Sequence, residues 1–511
     1  MEALGNHPRE LVFQRDECFK RMAYLTQKSD HEFPQEDIQY LAKEARDYCF
    51  SREMVYKDSN GKEQHIPFTL YPSPFPKRLF STAREVQTFF NILVHKASQD
   101  YQFTKNALSS TISADQFTAK LFQIYEKVWE QGAAQSISLG IFRSDYLIDT
   151  TGKLNNECHS RTKTDAMDEN NNGLCIKQVE INTIALGGIA FSCLIPEMHR
   201  YLLELIEQKS KKLHVPLNPA LDEAADGLIK AWELYGSERA VIMFVIQPDE
   251  INVYDQKHLE YRVHERSKGV RVIRRSLTDV FRDGETDNAK SLHLNGMEIA
   301  VAYFRAGYTP KDYPTENEWS ARLTIELSRC IKCPTVAHQL MGTKKMQQVM
   351  SNPGVLERFL PDKESVDRVR KTFTGLYSLD PGPVGDHNME YCLQRTDRCV
   401  LKPQREGGGN NIYGEDIRHT LLNDSKNRTQ YIVMDLIQPE MNRNVIVREE
   451  YTNVHTVDVI PELGIVGIFL SRGDEVLVNK EGGYLIRTKA ATQGDGGVYA
   501  GRAAFDSPYM V

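Results

Sequence analysis

The chain lacks the long apolar run of a membrane protein and the positive charge of a nucleic-acid-binding protein. Its longest uncharged stretch, residues 181–196, contains two adjacent glycines and a proline, whereas a helix needs about 20 apolar residues to cross a bilayer. We expect this stretch to form a strand, a turn and the start of a helix. Its 63 Lys and Arg are outnumbered by 70 Asp and Glu, whereas nucleic-acid binding usually leaves a basic balance. The sequence therefore predicts neither a membrane nor a nucleic-acid partner.

Cysteine is also scarce, and its distribution excludes a disulfide scaffold. The nine cysteines among 511 residues are an odd number and do not form the dense, even framework of a small secreted domain. Cys330 and Cys333 have the spacing of a metal or redox site, but no second pair and no histidine cluster completes it. We interpret them as structural residues with reduced thiols.

The first ten residues have no apolar run of the kind that a secretory signal requires. They include the charged residues Glu2 and Arg9, so no signal peptide is visible. We therefore expect a cytoplasmic protein. A signal removed before residue 1 would make it a secreted one instead.

What the sequence contains is a set of periodic segments that predict an α/β fold. Apolar residues recur at three- and four-residue spacing at 79–99 and 116–132, which indicates helices. The apolar runs at 240–246, 269–276 and 297–304 are separated by helix-length polar segments. Such runs indicate parallel strands covered on both faces, and hence a doubly wound α/β lobe.

The remaining segments predict a second, α+β arrangement and one long loop. Apolar runs at 399–404, 430–438 and 462–471 indicate strands of an antiparallel arrangement, with a glycine-rich loop between the first two. The polar, Asn-rich residues 149–174 predict an exposed loop between two strands. A chain of this length is too long for one simple core, so we expect two or three lobes.

The glycine-rich loop "LKPQREGGGNNIYG" at residues 401–414 points to phosphate chemistry. Three successive glycines cost backbone entropy and are typical of a backbone that approaches a ligand closely or moves. The loop has neither the Walker pattern nor the dinucleotide-binding spacing, and protein-kinase motifs are absent. What remains is Lys402, which would contact phosphate as a point charge, and Glu406, which would hold Mg²⁺ bridging phosphate oxygens.

A second strand offers further ligands for such a cation. Glu180 and Asn182 in "QVEINTI" are two residues apart, so on a strand their side chains point the same way and could face one ion. The alternative is a pair of solvated side chains at a strand edge.

Several motifs then resemble one family in order and spacing. The resemblance to eukaryotic glutathione synthetases, which are ATP-grasp ligases, runs from about residue 65 to the C terminus. Its motifs are "SSTISADQFTAKLF", "FRSDYL", "KQVEINTI", "KAWELYGS", "YFRAGY", "GTKKMQQ", "LKPQREGGGNNIYGED", "ELGIVGIF", "LIRTKA" and "GDGGV".

The resemblance implies a fold, a domain division and a reaction. The implied fold is an ATP-grasp fold with an inserted doubly wound parallel-sheet lobe that binds substrate. Its parts would be the helix-rich core with the metal strand at 1–237, the inserted domain at 238–341, and the ATP-grasp domain with the glycine-rich lid at 342–511. The implied reaction joins γ-glutamylcysteine to glycine and converts ATP to ADP and phosphate through an acyl phosphate. ATP, Mg²⁺ and a homodimer are implied as well.

The resemblance also assigns site residues. Arg487 and Arg143 would act in catalysis, with Arg487 stabilising the charge that develops as the amine attacks. The implied magnesium ligands are Glu180, Asn182 and Glu406. The implied ATP-binding residues are Lys344, Lys402, Glu406, Gly407, Gly408, Gly409, Asn411, Tyr413, Met434, Asp435, Ile437, Glu462, Lys489 and Asp495. The implied substrate-binding residues are Arg143, Ile184, Ala185, Gly187, Glu250, Asn252, Gln256, Arg305, Tyr308, Arg487, Val498 and Tyr499.

Five substrate-side residues depart from the family pattern. Ala185 and Gly187 stand where serines are usual, Ile251 where an arginine is common, and Ala306 where an acid is usual. Tyr499 stands where a small residue is expected beside the acceptor. The loss of one hydrogen-bonding group to a substrate costs about 1 to 3 kcal/mol, so several losses together would weaken glutathione synthesis.

Three hypotheses therefore stand at the level of sequence. The chain is a glutathione synthetase, or a ligase of the same fold with a changed donor or acceptor and little activity towards the usual substrates, or a binding or effector protein that keeps the ATP site without turnover. The retained phosphate and metal residues favour the first two hypotheses. The changed substrate-side residues count against a fully typical synthetase.

Overall fold

A computed structural model describes residues 35–58, 60–154, 173–206, 214–267, 269–449, 454–494 and 496–511. The α-helices of these ranges, in chain order, are α1 Gln35–Ser51, α2 Lys77–Gln99, α3 Tyr101–Ala114, α4 Gln116–Gln131, α5 Thr151–Leu154, α6 Phe191–Ile206, α7 Ala220–Tyr235, α8 Val253–Arg266, α9 Leu277–Asp283, α10 Glu316–Leu327, α11 Val336–Met341, α12 Lys344–Met350, α13 Leu356–Phe359, α14 Lys363–Thr372, α15 Pro383–Leu393 and α16 Glu415–Asn423. Two 3₁₀-helices span Pro310–Asp312 and Ser425–Gln430.

The strands of the same ranges form five sheets. In chain order they are β1 Val55–Lys57, β2 Glu63–His65, β3 Phe68–Thr69, β4 Ser73–Phe75, β5 Ile137–Asp149, β6 Cys175–Asn182, β7 Val241–Val245, β8 Val272–Arg275, β9 Gly284–Thr286, β10 Leu292–Leu294, β11 Met297–Phe304, β12 Ile331–Cys333, β13 Leu376–Ser378, β14 Cys399–Pro403, β15 Ile412–Tyr413, β16 Tyr431–Asp435, β17 Asn442–Val447, β18 Thr456–Arg472, β19 Glu475–Ala490, β20 Ala503–Asp506 and β21 Pro508–Met510.

The largest sheet has seven strands in the order β17-β3-β20-β19-β18-β5-β6. Its centre is the long antiparallel set β19-β18-β5. Successive side chains of a strand point to opposite faces, and here both faces are covered: Ile465 and Phe469 lie in the core formed with α2, whereas Val466 and Ile468 lie in the core formed with α7. Burial on both faces explains why this strand is an almost continuous apolar run.

The second sheet contains the predicted parallel strands. β7 pairs in parallel with β8 and with β11, and β12 pairs in parallel with β11. Ile242 and Phe244 of β7 pack with α7 and α8, while Val241 and Met243 pack with α9 and α10. Helices therefore cover both faces, which confirms the doubly wound lobe. The antiparallel hairpin β9–β10 extends one edge.

The third sheet presents the glycine-rich loop. It is antiparallel, in the order β13-β16-β14-β15, and the loop connects β14 to β15. This agrees with the predicted antiparallel pairing of the strands at 399–404 and 430–438. The third predicted strand, at 462–471, lies in β18 of the seven-stranded sheet. Both of its apolar faces are buried there, one in each of the two cores that flank the sheet.

Other sequence predictions have structural outcomes too. The periodic helices are present as α2 and α4. Residues 181–196 form the end of β6, a turn and the start of α6. Cys330 and Cys333 are buried and unpaired, and in the described part of the chain no three His, Cys, Asp or Glu side chains group as metal ligands.

Two predictions concern segments near or beyond the described ranges. The predicted polar loop at 149–174 lies mostly outside the described residues, but β5 and β6 flank it as expected.

Among the described helices none is long and apolar enough to span a bilayer. The strands of the doubly wound sheet all lie within 238–341, whereas the seven-stranded sheet takes strands from both flanking segments. The three-part domain division itself stays a prediction.

Candidate functional site

A polar face crosses four neighbouring strands of the seven-stranded sheet, in the order β6-β5-β18-β19. Because opposed residues of antiparallel strands point to the same face, the register gathers these side chains at one place. Three cross-strand pairs form the face: Asp145 with Glu180, Arg143 with Asn182, and Glu462 with Arg487. The prediction that Glu180 and Asn182 point the same way is confirmed, since the Asn182 amide donates to Glu180 Oε1 at 3.2 Å.

This face borders a cavity of about 730 Å³ that the glycine-rich loop also lines. Most of the sequence-predicted site residues lie around it. The predicted residues that line the cavity are Arg143, Glu180, Asn182, Ile184, Ala185, Gly187, Glu250, Asn252, Arg305, Tyr308, Lys344, Lys402, Glu406, Gly407, Gly408, Gly409, Asn411, Tyr413, Met434, Asp435, Ile437, Glu462, Arg487, Lys489, Val498 and Tyr499. Gln256 does not line the cavity, and Asp495 lies outside the described residues.

Lys344 holds two of the acids together. It begins helix α12, whose N-cap Thr343 accepts a hydrogen bond from the Met346 amide. The buried Lys344 ammonium lies 3.1 Å from Glu180 Oε2 and 3.2 Å from Glu406 Oε1. One cation therefore already bridges two carboxylates, one from β6 and one from the glycine-rich loop.

The two carboxylates respond differently to this environment. Burial would raise the pKa of Glu180, but the charges of Lys344 and Lys402 outweigh burial and lower it below its usual range. Burial raises the pKa of Glu406; Lys344 lowers it, Glu180 raises it again, and the net shift is upward. A bound cation would favour the ionised form of Glu406 and so lower this pKa.

The chemistry of the donor set fits a magnesium ion. Glu180, Asn182 and Glu406 supply two carboxylates and one amide. Asn182 uses its Nδ2 to donate to Glu180 and to Asp145 Oδ2, the latter at 2.8 Å, which leaves the amide oxygen for a cation. Mg²⁺ prefers oxygen ligands and is commonly bound through one or two carboxylates together with substrate phosphates.

The glycine-rich loop packs against a second loop. Gly407 and Gly409 have φ of +85° and +97°, which side chains other than glycine rarely adopt. A Cβ on Gly408 would lie 2.4 Å from the Gly496 carbonyl oxygen, so the two backbones touch directly. Gly494, close to this contact in the chain, accepts a hydrogen bond from Lys489 through its carbonyl.

An apolar slot lies beside the loop, between β14 and the segment after β16. Its buried members are Val400, Met434 and Ile437. The Asp435 carboxylate accepts from Tyr377 Oη at 2.8 Å and from Tyr391 Oη at 3.1 Å, so these bonds fix that side chain within the small sheet. The slot is therefore lined by apolar side chains.

Tyr499 forms another part of the cavity wall. Its hydroxyl donates to Asn252 Oδ1 at 2.5 Å, and its ring meets the edge of Tyr56, with centroids 6.1 Å apart. A Cβ on Gly187 would lie 3.6 Å from the Tyr499 ring. The tyrosine thus fills the space beside Gly187, and hairpin β1–β2 supports it through Tyr56.

The rest of this wall is a network of hydrogen bonds. Glu250 accepts from the Asn252 backbone amide at 2.8 Å and from Gln256 Nε2 at 2.5 Å. Gln256 in turn accepts from Arg274 at 2.6 Å. Gln256 therefore positions Glu250 and does not line the cavity itself. Arg305 is buried and donates to the Leu186 carbonyl.

Asp145 was not predicted from the sequence as a residue of this site. It is fully buried and accepts hydrogen bonds from Arg143, Asn182 and Arg487. The signal in the sequence was its place two residues after Arg143 in the strand motif "FRSDYL", which puts both side chains on one face. Its link to Arg487 could not be read from spacing, because the two are 342 residues apart.

Comparison with known proteins places these residues in a family. The model of the eukaryotic glutathione synthase ATP-binding domain matches residues 35–510, and so begins before the residue-65 limit of the motifs. Glutathione synthetase from Xenopus laevis is 44% identical over 89% of this chain and 92% of that protein. The Homo sapiens enzyme is 40% identical over 93% and 98%.

A solved structure has the same fold. It is a glutathione synthetase-like effector from Globodera pallida in its apo form, with a TM-score of 0.73 and 24% identity. The match covers 94% of this chain and 98% of that one.

Proposed function

The chain belongs to the eukaryotic glutathione synthetase family and is an ATP-dependent ligase, and from this premise we propose that it joins γ-glutamylcysteine to glycine with the help of Mg²⁺. One observation carries the proposal. Lys344 contacts Glu180 and Glu406 together, at the point where the glycine-rich loop meets the polar face that carries Arg487.

The proposed magnesium site is Glu180, Asn182 and Glu406. When bound, Mg²⁺ would neutralise phosphate oxygens of ATP and so favour transfer of the γ-phosphoryl group. Lys344 and Lys402 would supply fixed positive charge to the same phosphates. The apolar slot at Met434 would take the adenine ring, and Glu462 would face the ribose.

The proposed reaction uses no protein nucleophile. The protein would position the substrates and neutralise the negative charge that develops on them. A carboxylate oxygen of the donor attacks the γ-phosphorus, and the bond from that phosphorus to ADP breaks. The acceptor nitrogen attacks the carbonyl carbon of the acyl phosphate and loses a proton, and phosphate leaves. Arg487 and Arg143 would stabilise the negative charge on the attacked carbonyl oxygen. Closure of the loop at 407–409 would keep water from the acyl phosphate.

Release of ADP tests this function directly. With Mg²⁺, ATP and γ-glutamylcysteine, we expect turnover that depends on added glycine. Lys344→Gln should lower kcat/KM for ATP about 100-fold or more, because it removes the charge that faces both carboxylates. Lys43→Gln, which changes a surface lysine paired with Asp47, is the matched control and should leave turnover unchanged. Glycine-independent ADP release would contradict the proposal.

A second candidate is a ligase of this family with a different acceptor or donor. The position of Tyr499 beside Gly187 favours this candidate. The ring takes up space in the cavity, and the Tyr499 hydroxyl donates to the Asn252 side chain, which is then not available to a substrate. Ile251, which also lines the cavity, offers no charge to a substrate carboxylate. A panel of alternative amines and thiols in the same assay would identify the preferred substrates.

A pair of variants separates the two effects of Tyr499. If the ring excludes glycine, Tyr499→Ala should raise kcat/KM for glycine about tenfold or more, an amount within the range of hydrophobic-pocket discrimination. Tyr499→Phe keeps the ring but frees Asn252, so it should not rescue glycine. Equal glycine use by wild type and Tyr499→Ala would exclude the steric explanation. Nucleotide binding without any turnover would indicate an effector role like that named for the Globodera pallida protein.

A further inference from the structure

We propose that Asp145 is a positioning residue that fixes Asn182, Arg143 and Arg487 relative to one another. The same carboxylate would then position residues used in phosphoryl transfer and residues used in the attack of the amine. This inference rests on the proposed function for its kinetic meaning. Its structural basis is the set of hydrogen bonds that converge on one buried carboxylate.

The first element of that basis is the pairing of Asp145 with Arg143. Arg143 Nε donates to Asp145 Oδ1 at 2.7 Å and Arg143 Nη2 donates to Oδ2 at 2.9 Å. Such a two-point contact fixes the plane of the guanidinium as well as its distance. Both side chains are almost completely buried, so water does not screen the pair.

The second element is the use of Oδ2 by two other strands. It accepts from Asn182 Nδ2 of β6 at 2.8 Å and from Arg487 Nη2 of β19 at 2.7 Å. Because a carboxylate only accepts hydrogen bonds, it selects the NH₂ end of the Asn182 amide. The amide oxygen is thereby left to face a cation. Asp145 therefore sets the orientation of a magnesium ligand and the position of a catalytic arginine with the same atom.

The third element is a glycine on the neighbouring strand. Gly464 of β18 lies opposite Asp145, and a Cβ there would lie 2.7 Å from Asp145 Oδ1 and 2.8 Å from the Arg143 side chain. Any other residue would push this pair aside. The sheet is thus shaped to accommodate the charged pair, although a glycine within a strand weakens the strand.

Arg487 shows why such a support matters. Its guanidinium also contacts Glu462, a second acid on the same face. Without Asp145, Arg487 would pair with Glu462 alone and Arg143 would lose its partner within the sheet. The arginines would remain in the cavity, but their common position relative to Asn182 would be lost.

The test is Asp145→Asn, which keeps the size of the side chain and removes its charge. We expect kcat to fall about 10- to 100-fold, as for other partners of metal ligands, with KM for the peptide donor changed less than kcat. We also expect calorimetric titration to show that binding of a non-hydrolysable ATP analogue requires a higher Mg²⁺ concentration. Gly464→Ala retains the charge but displaces the pair, so it should reproduce the loss of kcat.

Asp506→Asn is the matched control. Asp506 is another buried acid of the same sheet, on β20, and accepts from the Ser73 and Thr488 hydroxyls. It should lower the melting temperature without changing the Mg²⁺ requirement. The proposal is overturned if Asp145→Asn keeps kcat within twofold, or if it behaves like Asp506→Asn in both readouts. The Mg²⁺ titration needs no turnover, so it tests Asp145 even if the wild-type chain proves inactive with glycine.

Discussion

At the scale of single residues, the proposed magnesium site depends on the protonation of Glu406. Burial is the first cause that raises the pKa of this carboxyl, and the negative charge of Glu180 contributes although Lys344 opposes it. At the proposed site a magnesium ion would therefore replace a proton that Glu406 binds more readily than a free glutamate does. The sequence predicted this ligand from its place beside the glycines, but not its pKa, which depends on a neighbour 226 residues away in the chain.

This predicts a pH dependence for nucleotide binding. The affinity for the Mg²⁺ complex of an ATP analogue should fall as the pH is lowered, because the protonated carboxyl cannot ligate the ion. The midpoint should lie above the ordinary pKa of a glutamate side chain, because burial raises the pKa of Glu406. Calorimetric titrations at several pH values would measure it. Glu406→Gln should bind weakly at every pH, and the same pH dependence in that variant would contradict the assignment.

At the scale of elements, strong local periodicity was enough to predict much of the fold. α2, α4, β7 and β11 follow from apolar spacing, and the shared direction of Glu180 and Asn182 follows from the two-residue period of a strand. The placement of β18 between β5 and β19 does not follow from its own sequence, since both faces of that strand are apolar. The convergence of Asp145 and Arg487 depends on this placement, which is why sequence reasoning missed it.

The start of helix α4 contacts the segment that carries the glycine-rich loop. Asp115 caps α4 by accepting from the Thr118 amide at 2.8 Å, and it also accepts from Arg405 at 2.5 Å, next to the glycine-rich loop. Asp115→Ala should therefore lower the free energy of unfolding by about 1 kcal/mol or more and also raise KM for ATP. Asp362→Ala removes the cap of α14, where Asp362 accepts from the Ser365 amide at 2.8 Å.

That second variant is the control for Asp115. It should cost a similar stability without changing KM for ATP, because α14 is capped away from the loop. Chemical denaturation and steady-state kinetics on both variants would measure the two effects. If both variants changed KM equally, a general loss of stability would explain the result instead of the Arg405 contact.

At the scale of the whole molecule, the seven-stranded sheet, the doubly wound lobe and the small antiparallel sheet each contribute a wall of one cavity. Composition predicted the class of protein, and the resemblance of collinear motifs predicted the reaction. Four of the five substrate-side departures, Ala185, Gly187, Ile251 and Tyr499, line the cavity, and Gly187 lies beside the Tyr499 ring. The homodimer and the cytoplasmic location stay predictions.

A crystal structure with Mg²⁺ and a non-hydrolysable ATP analogue would show directly whether the glycine-rich loop and the three proposed ligands hold the nucleotide. We predict Mg²⁺ bound by Glu180, Asn182 and Glu406, with the triphosphate beneath Gly407, Gly408 and Gly409. A metal ion or triphosphate bound elsewhere, with these three ligands still contacting only protein, would contradict it.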